Sequence, residues 1–343
     1  MRLRWAGGEY LAGGTIDKPF FLGISALTFG ATWPAAVETV RLADRLGYDA
    51  IFTADHLYAN GGDPQQPLFE GWTTLAGWSQ VTRVADLGLL VGANTFRNPG
   101  VVAKMTATLD HMSGGRAILG LGAAWDEEEQ RAHGIDVGRS QGQRLDWLDE
   151  SLGLIRRVLS GEEVSYQSEA YRFERVRHAP LPLRQPVPVI VGGTGEKKGL
   201  RIVARHADLW QFWSAIDGLA EFQRLDDVLR RHCDAVGRDP AAIRRVPGAK
   251  LILRDRRSDA DAEFEHQLTV QPWSGDVLEF IANVDLWRTT PATLVDALGD
   301  LQARGADGFI AQFYPPYDHE TIERLATQVA PQLGWTPRRA TGH

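Results

Sequence analysis

The sequence predicts a single (β/α)8 TIM barrel, in which eight parallel strands alternate with eight helices. Short apolar runs alternate with segments of helical periodicity about eight times along the chain. The apolar runs show almost no polar alternation, which is typical of parallel strands buried on both faces. A length of 343 residues suits one barrel with insertions. Eight such units favour closure into a barrel over an open doubly wound sheet.

The first half of the chain supplies four of these units. Residues 20–26 form an apolar run that predicts the first strand, and residues 34–46 follow with apolar side chains mainly on one helical face. Gly47 then ends this helix, because glycine readily adopts the left-handed conformation found at helix C-termini. The same pattern predicts strands at 49–54, 86–93 and 117–122 and helices at 68–81 and 100–112.

The second half repeats the pattern around two insertions. Between the fourth and fifth strands, residues 143–160 predict an extra helix, and residues 161–187 predict a hairpin followed by a proline cluster. After the seventh strand, a charge-rich stretch before residue 291 predicts irregular structure. The other predicted strands are 188–192, 208–213, 247–253 and 307–314, and the other predicted helices are 196–206, 219–236, 291–304 and 319–330.

Composition and charge exclude several classes of protein. A formal net charge of -7, without a dense run of Lys and Arg, argues against a nucleic-acid partner. Cys233 is the only cysteine, so no disulfide can form within the chain, and we interpret it as an incidental helix residue. No apolar segment is long enough for a secretion signal or a membrane helix. We therefore expect a cytoplasmic protein that acts on a small molecule and has no membrane partner.

The predicted domain organisation is simple. Residues 1–19 form an N-terminal extension, residues 20–335 form one barrel domain, and residues 336–343 form a C-terminal tail. Barrel enzymes work at the carboxyl ends of their strands, so the residues that follow each strand are the first candidates for function.

The pair Asp55-His56 comes directly after the second predicted strand. A titratable imidazole at this place can exchange a proton with a bound cofactor or substrate, and Asp55 can orient it or cap the next segment. The alternative is a structural histidine held by loop hydrogen bonds, because polar residues are common at strand ends. His56 is the best single candidate for a catalytic residue, and both side chains are candidates for cofactor binding.

Two glycine-rich turns follow the fourth and fifth strands. In the first, Gly122 and Ala123 let the backbone approach a ligand before an acidic run opens a helix, although the glycines could serve only a tight turn. The second turn is the stronger signal, because glycines lie between a strand and a helix N-terminus and leave amide groups for an anion. Its candidate phosphate-binding residues are Gly192, Gly193, Thr194, Gly195, Glu196 and Lys197, and Lys198 can add charge.

The sequence does not indicate a metal site, and most of its tryptophans are expected in the core. The histidines are scattered and no paired-cysteine or His-Glu-x-x-His spacing occurs, so we expect no metal site. Tryptophans inside helical segments are expected to pack in the core. Trp125 and Trp210 lie near strand ends and are therefore candidates for an aromatic wall of a substrate pocket.

The order of these motifs resembles the luciferase-like superfamily of flavin and F420 enzymes, and within it the coenzyme F420-dependent oxidoreductases. The resemblance runs from about residue 30 to residue 213, with a weaker tail to residue 331. Its motifs are Gly30-Ala31-Thr32-Trp33, Asp55-His56, Arg97-Asn98-Pro99, Leu109-Asp110 with Ser113-Gly114-Gly115-Arg116, Leu119-Gly120-Leu121-Gly122 with Trp125, and the loop from Gly192 to Lys198. Each motif alone is weak, and their joint order is specific.

The resemblance implies a cofactor ring in the barrel mouth, backed by a bulge with a non-proline cis peptide in the third strand. The bulge falls near Leu89, Leu90 or Val91, and we expect Leu90 and Val91 to contact the ring. The glycine loop at Gly193 to Lys197 corresponds to the family's phosphate loop. Sugar-phosphate dehydrogenases of the superfamily carry a glutamate where this chain has Trp125, which argues for a larger or less polar substrate.

The sequence thus predicts hydride transfer between coenzyme F420 and an organic substrate, such as a ketone or alcohol, an imine or an activated alkene. One alternative keeps the barrel but uses FMN, as in a luciferase-like monooxygenase. A second alternative is a non-catalytic barrel that binds a flavin-like ligand, and the Asp55-His56 pair argues against it. The resemblance also favours a homodimer.

Overall fold

The computed structural model describes residues 3–5, 8–10, 19–59, 66–213, 218–270 and 286–340. Two short antiparallel strands come first, β1 (Leu3–Trp5) and β2 (Gly8–Tyr10), and the rest of the predicted extension lies outside the described residues. The barrel that follows is a closed ring of eight parallel strands surrounded by helices. The predicted fold class is therefore confirmed.

The eight barrel strands pair in sequence order. The last strand pairs with the first in parallel over six residue pairs, from Gly308 opposite Phe21 to Phe313 opposite Ala26, and this pairing closes the ring. The strands are β3 (Phe21–Ala26), β4 (Ala50–Thr53), β5 (Asp86–Leu89) with its continuation β6 (Gly92–Ala93), β7 (Ala117–Gly122), β10 (Val189–Gly192), β11 (Leu209–Trp213), β12 (Arg244–Leu253) and β14 (Gly308–Phe313).

Helices follow the strands as the apolar periodicity predicts. In the first of them, Thr32 caps the N-terminus by accepting a hydrogen bond from the Ala35 amide, and Gly47 ends the helix at φ 83°. The helices are α1 (Trp33–Leu46), α2 (Gly71–Ser79), α3 (Pro99–Ser113), α4 (Glu127–Ala132), α5 (Gln141–Leu159), α6 (Gly199–His206), α7 (Leu219–Val236), α8 (Arg257–Val270), α9 (Pro291–Ala303) and α10 (His319–Arg324).

Both predicted insertions are present. Helix α5 and the hairpin of β8 (Val164–Gln167) and β9 (Arg172–Val176) lie between the fourth and fifth barrel strands. After the seventh strand come α8 and β13 (Leu286–Thr289), which pairs with the outer part of β12. The expectation of irregular structure in this second insertion was wrong over residues 257–270, which form α8.

Helix α8 was not predicted from the sequence because its apolar residues do not form a stripe along one face. Ala260 is its only residue that the structure buries. Charge pairs lie at its N-terminal end instead: Arg257 pairs with Asp261 one turn along the helix, and Arg256, which precedes the helix, pairs with Asp259. The final predicted helix is also shorter than expected, because the helix α10 passes at Leu325 into a π-helical turn, Leu325–Val329.

The barrel has two apolar layers. Inside the ring, a cluster that includes Phe21, Phe52, Ile118 and Ile310 fills its lower half, and a larger cluster packs the strands against the helices. Toward the carboxyl ends of the strands, several inward positions are occupied by glycine or by polar residues, namely Ser25, Gly122, Gly192, Gln211, Gly248 and Lys250. The ring therefore opens into a mouth at that end.

The third barrel strand is interrupted by a bulge with a non-proline cis peptide between Leu90 and Val91, as expected. Glycines on the neighbouring strand make room for it. A Cβ at Gly120 would lie 1.7 Å from the Leu89 carbonyl oxygen, and a Cβ at Gly122 would lie 2.7 Å from Cγ2 of Val91. The sequence Gly-Leu-Gly in β7 is therefore explained by the close approach of the bulge.

The opposite end of the barrel is closed by charged side chains. Asp49 Oδ1 accepts a hydrogen bond from Arg338 Nε at 2.8 Å, and Asp49 Oδ2 accepts one from the Trp335 indole at 3.0 Å. Asp86 accepts from Arg184 Nη1 at 3.0 Å and lies 3.4 Å from Arg338 Nη1. The start of the predicted C-terminal tail thus lies against the amino ends of the strands. None of the helices in the described residues is both long and apolar enough to cross a membrane.

A candidate active site at the barrel mouth

His56 stands at the mouth in a fixed orientation. It follows β4, and its Nδ1 lies 3.0 Å from Oε2 of Glu129 on α4. The other carboxylate oxygen of Glu129 accepts hydrogen bonds from the backbone amides of Leu57 and Tyr58, the latter at 2.9 Å. Burial alone would raise the pKa of Glu129, but the hydrogen bonds from His56 and these amides outweigh it and lower the pKa. Glu129 is therefore an ionised acceptor.

An ionised Glu129 decides the tautomer of His56. Because the carboxylate can only accept, Nδ1 carries the hydrogen of this bond, and in the neutral imidazole Nε2 keeps its lone pair. Within the described part of the chain, Nε2 has no hydrogen-bond partner. The arrangement can take up a proton at Nε2 or release one there, and Glu129 would stabilise the imidazolium.

Helix α4, which carries Glu129, is itself anchored on several sides. Asp126 caps it by accepting from the Glu129 amide at 3.0 Å. Gln130 accepts a hydrogen bond from the Thr95 hydroxyl at 2.6 Å, which ties the helix to the segment that follows the bulge. Arg144 on α5 donates to Glu127 at 3.0 Å. The position of His56 is therefore linked to the third strand and to the first insertion.

Asp55 does not orient His56. Its carboxylate is 3% exposed, and it accepts from the Ala93 amide at 2.9 Å and from both terminal nitrogens of Arg97 at 2.7 and 3.0 Å. Arg97 also donates to Glu70 at 2.6 Å. Asp55 therefore holds the backbone after the bulge, and the orienting role expected of it belongs to Glu129.

Aromatic rings surround His56. The ring centroids of Phe29 and Trp125 lie 5.9 and 5.7 Å from that of the imidazole, and both pairs meet edge to face. Trp125 is 59% exposed, which is consistent with the pocket wall expected of it. Beyond Phe29, at 6.1 Å, lies Tyr314, and the ammonium of Lys250 lies 4.6 Å from the Tyr314 ring centroid. Burial lowers the pKa of Lys250 to about 7.

The bulge and its neighbours form one side of the mouth. Leu90 and Val91 belong to the cluster inside the ring, and Ala123 follows β7 in the glycine-rich turn. Gln211 faces the same space, because a Cβ at Gly192 would lie 3.4 Å from Val91 and 3.5 Å from the Gln211 amide oxygen. The Gln211 Nε2 is buried and has no hydrogen-bond partner within the described residues. A polar donor is thus left without a partner beside the bulge.

The glycine-rich loop after β10 is exposed from Gly193 to Lys197. The start of the loop is fixed to β11, because the Gly193 carbonyl accepts a hydrogen bond from the Trp210 indole at 2.9 Å. Gly193 has φ 122°, and a Cβ there would have no heavy atom within 4 Å. Among the described residues, the amides of the loop from Thr194 to Lys197 donate no hydrogen bond. They are available to an anion.

Two charged side chains near this loop have partners within the protein. Lys198 Nζ lies 2.7 Å from both carboxylate oxygens of Asp146 on α5, so its charge is already balanced. Glu196 accepts from Arg224 of α7 at 2.7 Å, which fixes the loop laterally. Charge at the loop would therefore come from Lys197, while Lys198 serves to join α5 to the loop.

Trp210 lies elsewhere than expected. It is fully buried on the outer side of β11, where its ring lies 4.4 Å from that of Phe212 and packs toward Phe222 of α7. The alternation of side chains along the strand explains this, because Leu209 and Gln211 point into the ring. Trp213 at the end of β11 is 45% exposed and takes the place at the mouth that was expected of Trp210.

Three residues bring possible metal ligands together, although the sequence predicts no metal. The ligand atoms of His56, Asp126 and Glu129 all lie within 4.8 Å of one another. Both oxygens of Glu129 and one oxygen of Asp126 already accept N–H groups. The geometry is therefore explained by hydrogen bonding, and the absence of a metal remains a prediction.

Sequence reasoning did not single out Glu129, Gln211 or Lys250. Glu129 stands in an acidic run that by itself indicates only the start of a helix, and no local pattern shows that its carboxylate reaches His56 across 73 positions. Lys250 carried a usable signal, because a lysine in the apolar part of a predicted strand is almost never fully buried unless it is paired.

Two proteins of Mycobacterium tuberculosis are similar in sequence to this chain. An uncharacterized protein of Mycobacterium tuberculosis is 31% identical over 192 residues, which cover 52% of this chain and 66% of that protein, slightly less than two thirds of its length. A putative coenzyme F420-dependent oxidoreductase of the same species is 29% identical over 310 residues, which cover 86% of this chain and 84% of that protein.

A solved structure of an F420-dependent secondary alcohol dehydrogenase in complex with an F420-acetone adduct superposes with a TM-score of 0.76. The superposed part covers 92% of this chain and 99% of the dehydrogenase, and the two sequences are 17% identical. The similarity shows that the two proteins share a fold. The profile of the luciferase-like monooxygenase family matches residues 19–306, which is most of the chain. The chain therefore belongs to the luciferase-like monooxygenase family, as its motifs had indicated.

Proposed function

We propose that this protein transfers a hydride between coenzyme F420 and an organic substrate. The observation that carries the proposal is the His56–Glu129 pair, which presents a proton-exchanging nitrogen at the mouth of the barrel. The relatives named as F420-dependent support the choice of cofactor. The expected substrates are a ketone or alcohol, an imine or an activated alkene.

The residues at the mouth fit a cofactor that has a planar ring and a phosphate. The ring would lie against the bulge at Leu90 and Val91, beside Gly122 and Ala123, where the unpartnered amide of Gln211 offers a donor to a ring oxygen or nitrogen. Asp55 would hold the backbone that follows this bulge, because its carboxylate accepts a hydrogen bond from the Ala93 amide.

The phosphate would bind the glycine-rich loop. Its binding residues would be Gly192, Gly193, Thr194, Gly195, Glu196 and Lys197, which offer backbone amides and one cationic side chain. The open space at Gly193 lets a phosphate oxygen approach the backbone. When it is bound, F420 supplies a hydride donor or acceptor at its ring, and the protein supplies position and electrostatics.

His56 moves the proton that accompanies the hydride. Its Nε2 gives a proton to a substrate that is being reduced, or takes one from a substrate that is being oxidised, and Glu129 stabilises the charged imidazole. Trp125 and Phe29 meet the imidazole ring edge to face and supply apolar surface beside it. The aromatic wall favours substrates that are less polar than a sugar phosphate.

The rival function is an FMN-dependent monooxygenase, which the family description favours. Titration of the purified full-length protein with F420 and with FMN separates the two proposals. We expect binding of F420, seen as a change in the deazaflavin absorbance or fluorescence, and weak or absent binding of FMN. A protein that holds FMN tightly and ignores F420 would assign it to the monooxygenases.

The role of His56 is tested by single-turnover kinetics with reduced F420 and representatives of each substrate class. A positioned acid–base group contributes about 10²–10⁴ in rate, so His56→Ala should slow hydride transfer by a factor in that range at saturating cofactor. The dissociation constant for F420 should change much less. A rate within about twofold of the wild type would leave His56 as a structural or ring-binding residue.

A further inference from the structure

Helix α5 of the first insertion is connected to both halves of the proposed cofactor site. Its inner side buries Leu148, Leu152 and Ile155 in the main apolar cluster, so the helix is held as a rigid element. Asp146 and Glu150 lie one turn apart on another face of the helix. Each of these carboxylates accepts a hydrogen bond from a different part of the chain. One contact leads to the glycine-rich loop and the other to the bulge.

The first contact fixes Lys198, which directly follows the glycine-rich loop. Its Nζ donates to both carboxylate oxygens of Asp146 at 2.7 Å and to the Gly142 carbonyl at 3.0 Å. These three acceptors match the three hydrogens of an ammonium group. The Leu200 amide then donates to the Gly195 carbonyl at 2.9 Å, which joins the loop to the helix that follows it. Asp146 therefore holds the end of the proposed phosphate loop.

The second contact fixes the turn of the hairpin formed by β8 and β9. Glu150 accepts from the Ser168 hydroxyl at 2.7 Å, and that hydroxyl oxygen accepts from the Tyr171 amide at 3.1 Å. The Tyr171 side chain extends to the third barrel strand, where its hydroxyl oxygen accepts from the Asn94 side-chain amide at 3.0 Å. Asn94 is buried and lies three residues after Val91 of the bulge. Tyr171 therefore holds the backbone beside the proposed bed of the ring.

The two contacts border one cavity. This cavity has a volume of about 500 Å³, and Asp146, Glu150, Ala170 and Lys198 are among the residues that line it. It separates the turn of the hairpin from the end of the glycine-rich loop, so the connection between them runs through α5. The two carboxylates are only about 6 Å apart along the helix axis. A short piece of regular helix thus links the bulge to the loop.

We propose that α5 sets the distance between the bed of the cofactor ring and the phosphate loop, with Tyr171 and Asp146 as positioning residues at the two ends of this link. The inference rests on the proposed function, in which one cofactor contacts both the bulge and the loop. Two half-sites held at a fixed distance bind a two-part ligand more tightly, because less conformational freedom is lost on binding. Loss of either contact frees one half, so loss of the second adds little.

Titration of the full-length protein and three variants with F420 tests the link as a double-mutant cycle. Tyr171→Phe removes the hydroxyl that accepts from Asn94, and it should weaken binding by about three- to tenfold, as loss of one hydrogen bond does. Asp146→Ala releases Lys198 and should weaken binding about threefold. The double variant should bind at most about twofold more weakly than Tyr171→Phe, whereas independent contacts would multiply the two losses.

Each single variant has a matched control. Tyr48→Phe removes a buried tyrosine hydroxyl that donates to the Ile322 carbonyl near the amino end of β4. Glu162→Ala removes the exposed partner of Arg157 at the other end of α5. Both controls should bind F420 as the wild type does. Unchanged affinity in Tyr171→Phe, or losses that multiply in the double variant, would overturn the link.

Amide hydrogen exchange of the cofactor-free protein tests the link without a ligand. Tyr171→Phe should speed exchange at Ala93, whose amide donates to Asp55, and also at Leu200 beyond the glycine-rich loop. Asp146→Ala should speed exchange at the same two places. Effects confined to the nearer place in each variant would overturn the link.

The two experiments together separate this inference from the proposed function. Faster exchange at both places in a protein that fails to bind F420 would retain the link and lose the proposed cofactor. Binding of F420 with losses that multiply in the double variant would retain the cofactor and lose the link.

Discussion

The two ends of the barrel bury charge in opposite ways. At the amino ends of the strands, Asp49 and Asp86 lie against Arg338 and Arg184, and each cation has carboxylates within reach. At the carboxyl ends, Lys250 is buried in contact with an aromatic ring, and the amide of Gln211 has no partner in the described residues.

The pKa values of the buried cations at the two ends are shifted in opposite directions. Burial alone would lower the pKa of Arg338, but the charges of Asp86 and Asp49 outweigh it and raise the pKa. Burial lowers the pKa of Lys250 to about 7. The amino end is therefore organised for stability and the mouth for binding, so substitutions at the two ends should have opposite consequences.

The largest effect is expected at the amino end. Arg338→Ala leaves the buried carboxylates of Asp49 and Asp86 without their shared cation, and it should lower the free energy of unfolding by about 3–5 kcal/mol. Urea unfolding measures the loss, with Arg339→Ala as control because that neighbour is exposed. Equal stability of the two variants would mean that the tail does not stabilise the barrel.

Lys250→Met should do the reverse and stabilise the protein. The unfolded lysine has a pKa near 10.5 and the folded one near 7, so the unfolded state binds more protons between these values. The wild type therefore gains stability as the pH rises from 7 to 10.5, and below pH 7 the buried amine destabilises it fully. The shift of about 3.5 pKa units corresponds to roughly 5 kcal/mol, and the contact of the ammonium with the Tyr314 ring offsets part of it. At pH 6 the variant should therefore be more stable by about 3 kcal/mol.

The gain from Lys250→Met should shrink as the pH approaches 10.5. Urea unfolding at pH 6 and at pH 10 measures it, and Lys104→Met on α3 serves as the matched control without such pH dependence. A variant that is less stable than the wild type at pH 6 would show that the ammonium is well compensated in the folded protein. In that event the contrast between the two ends would not hold for Lys250.

The alternation of strands and helices could be predicted from the sequence because each element has its own local pattern of apolar residues. Alternating apolar runs and helical stripes placed the barrel strands to within about three residues, and the helix Leu219–Val236 was located to the residue. Helix α8 could not be found in this way, because exposed charge pairs stabilise it and only Ala260 is buried. Its helicity depends on side chains one turn apart, which leave no apolar period.

The candidate site was only partly readable. His56 and the glycine-rich loop were found because strand ends and glycine clusters are local signals. Glu129 and Gln211 were not, because their importance comes from contacts between elements far apart in the chain. Trp210 was misplaced for a related reason, since one step of strand alternation decides whether a side chain faces the ring interior or the helices.

Glu129→Gln should slow hydride transfer by about 10- to 100-fold without unfolding the protein. The Gln carbonyl can still accept from the Leu57 and Tyr58 amides, while its NH₂ group would donate to Nδ1 of His56. The imidazole would then carry its hydrogen on Nε2, the nitrogen proposed to exchange the proton. Nitrogen NMR of the histidine tautomer measures this directly. An unchanged tautomer would refute the orienting role of Glu129.

The smallest of these effects concerns the glycine-rich loop. Gly193 has φ 122°, a conformation that a β-branched side chain rarely adopts, so Gly193→Val must distort the loop although there is space for the side chain. We expect the dissociation constant for F420 to rise about tenfold or more, with unfolding changed little because the loop is exposed. Fluorescence titration with F420 measures the affinity.

Gly199→Ala is the matched control for this loop. Gly199 is the first residue of α6, its φ lies outside the left-handed region, and a Cβ there would meet no heavy atom within 4 Å. Alanine also favours the helix over glycine by about 1 kcal/mol, so the control should bind F420 normally and be as stable as the wild type or more so. Equal affinity of both variants would place the cofactor phosphate away from this loop. A loss confined to Gly193→Val would show that the mouth tolerates change in its supporting helix but not in the backbone that meets the ligand.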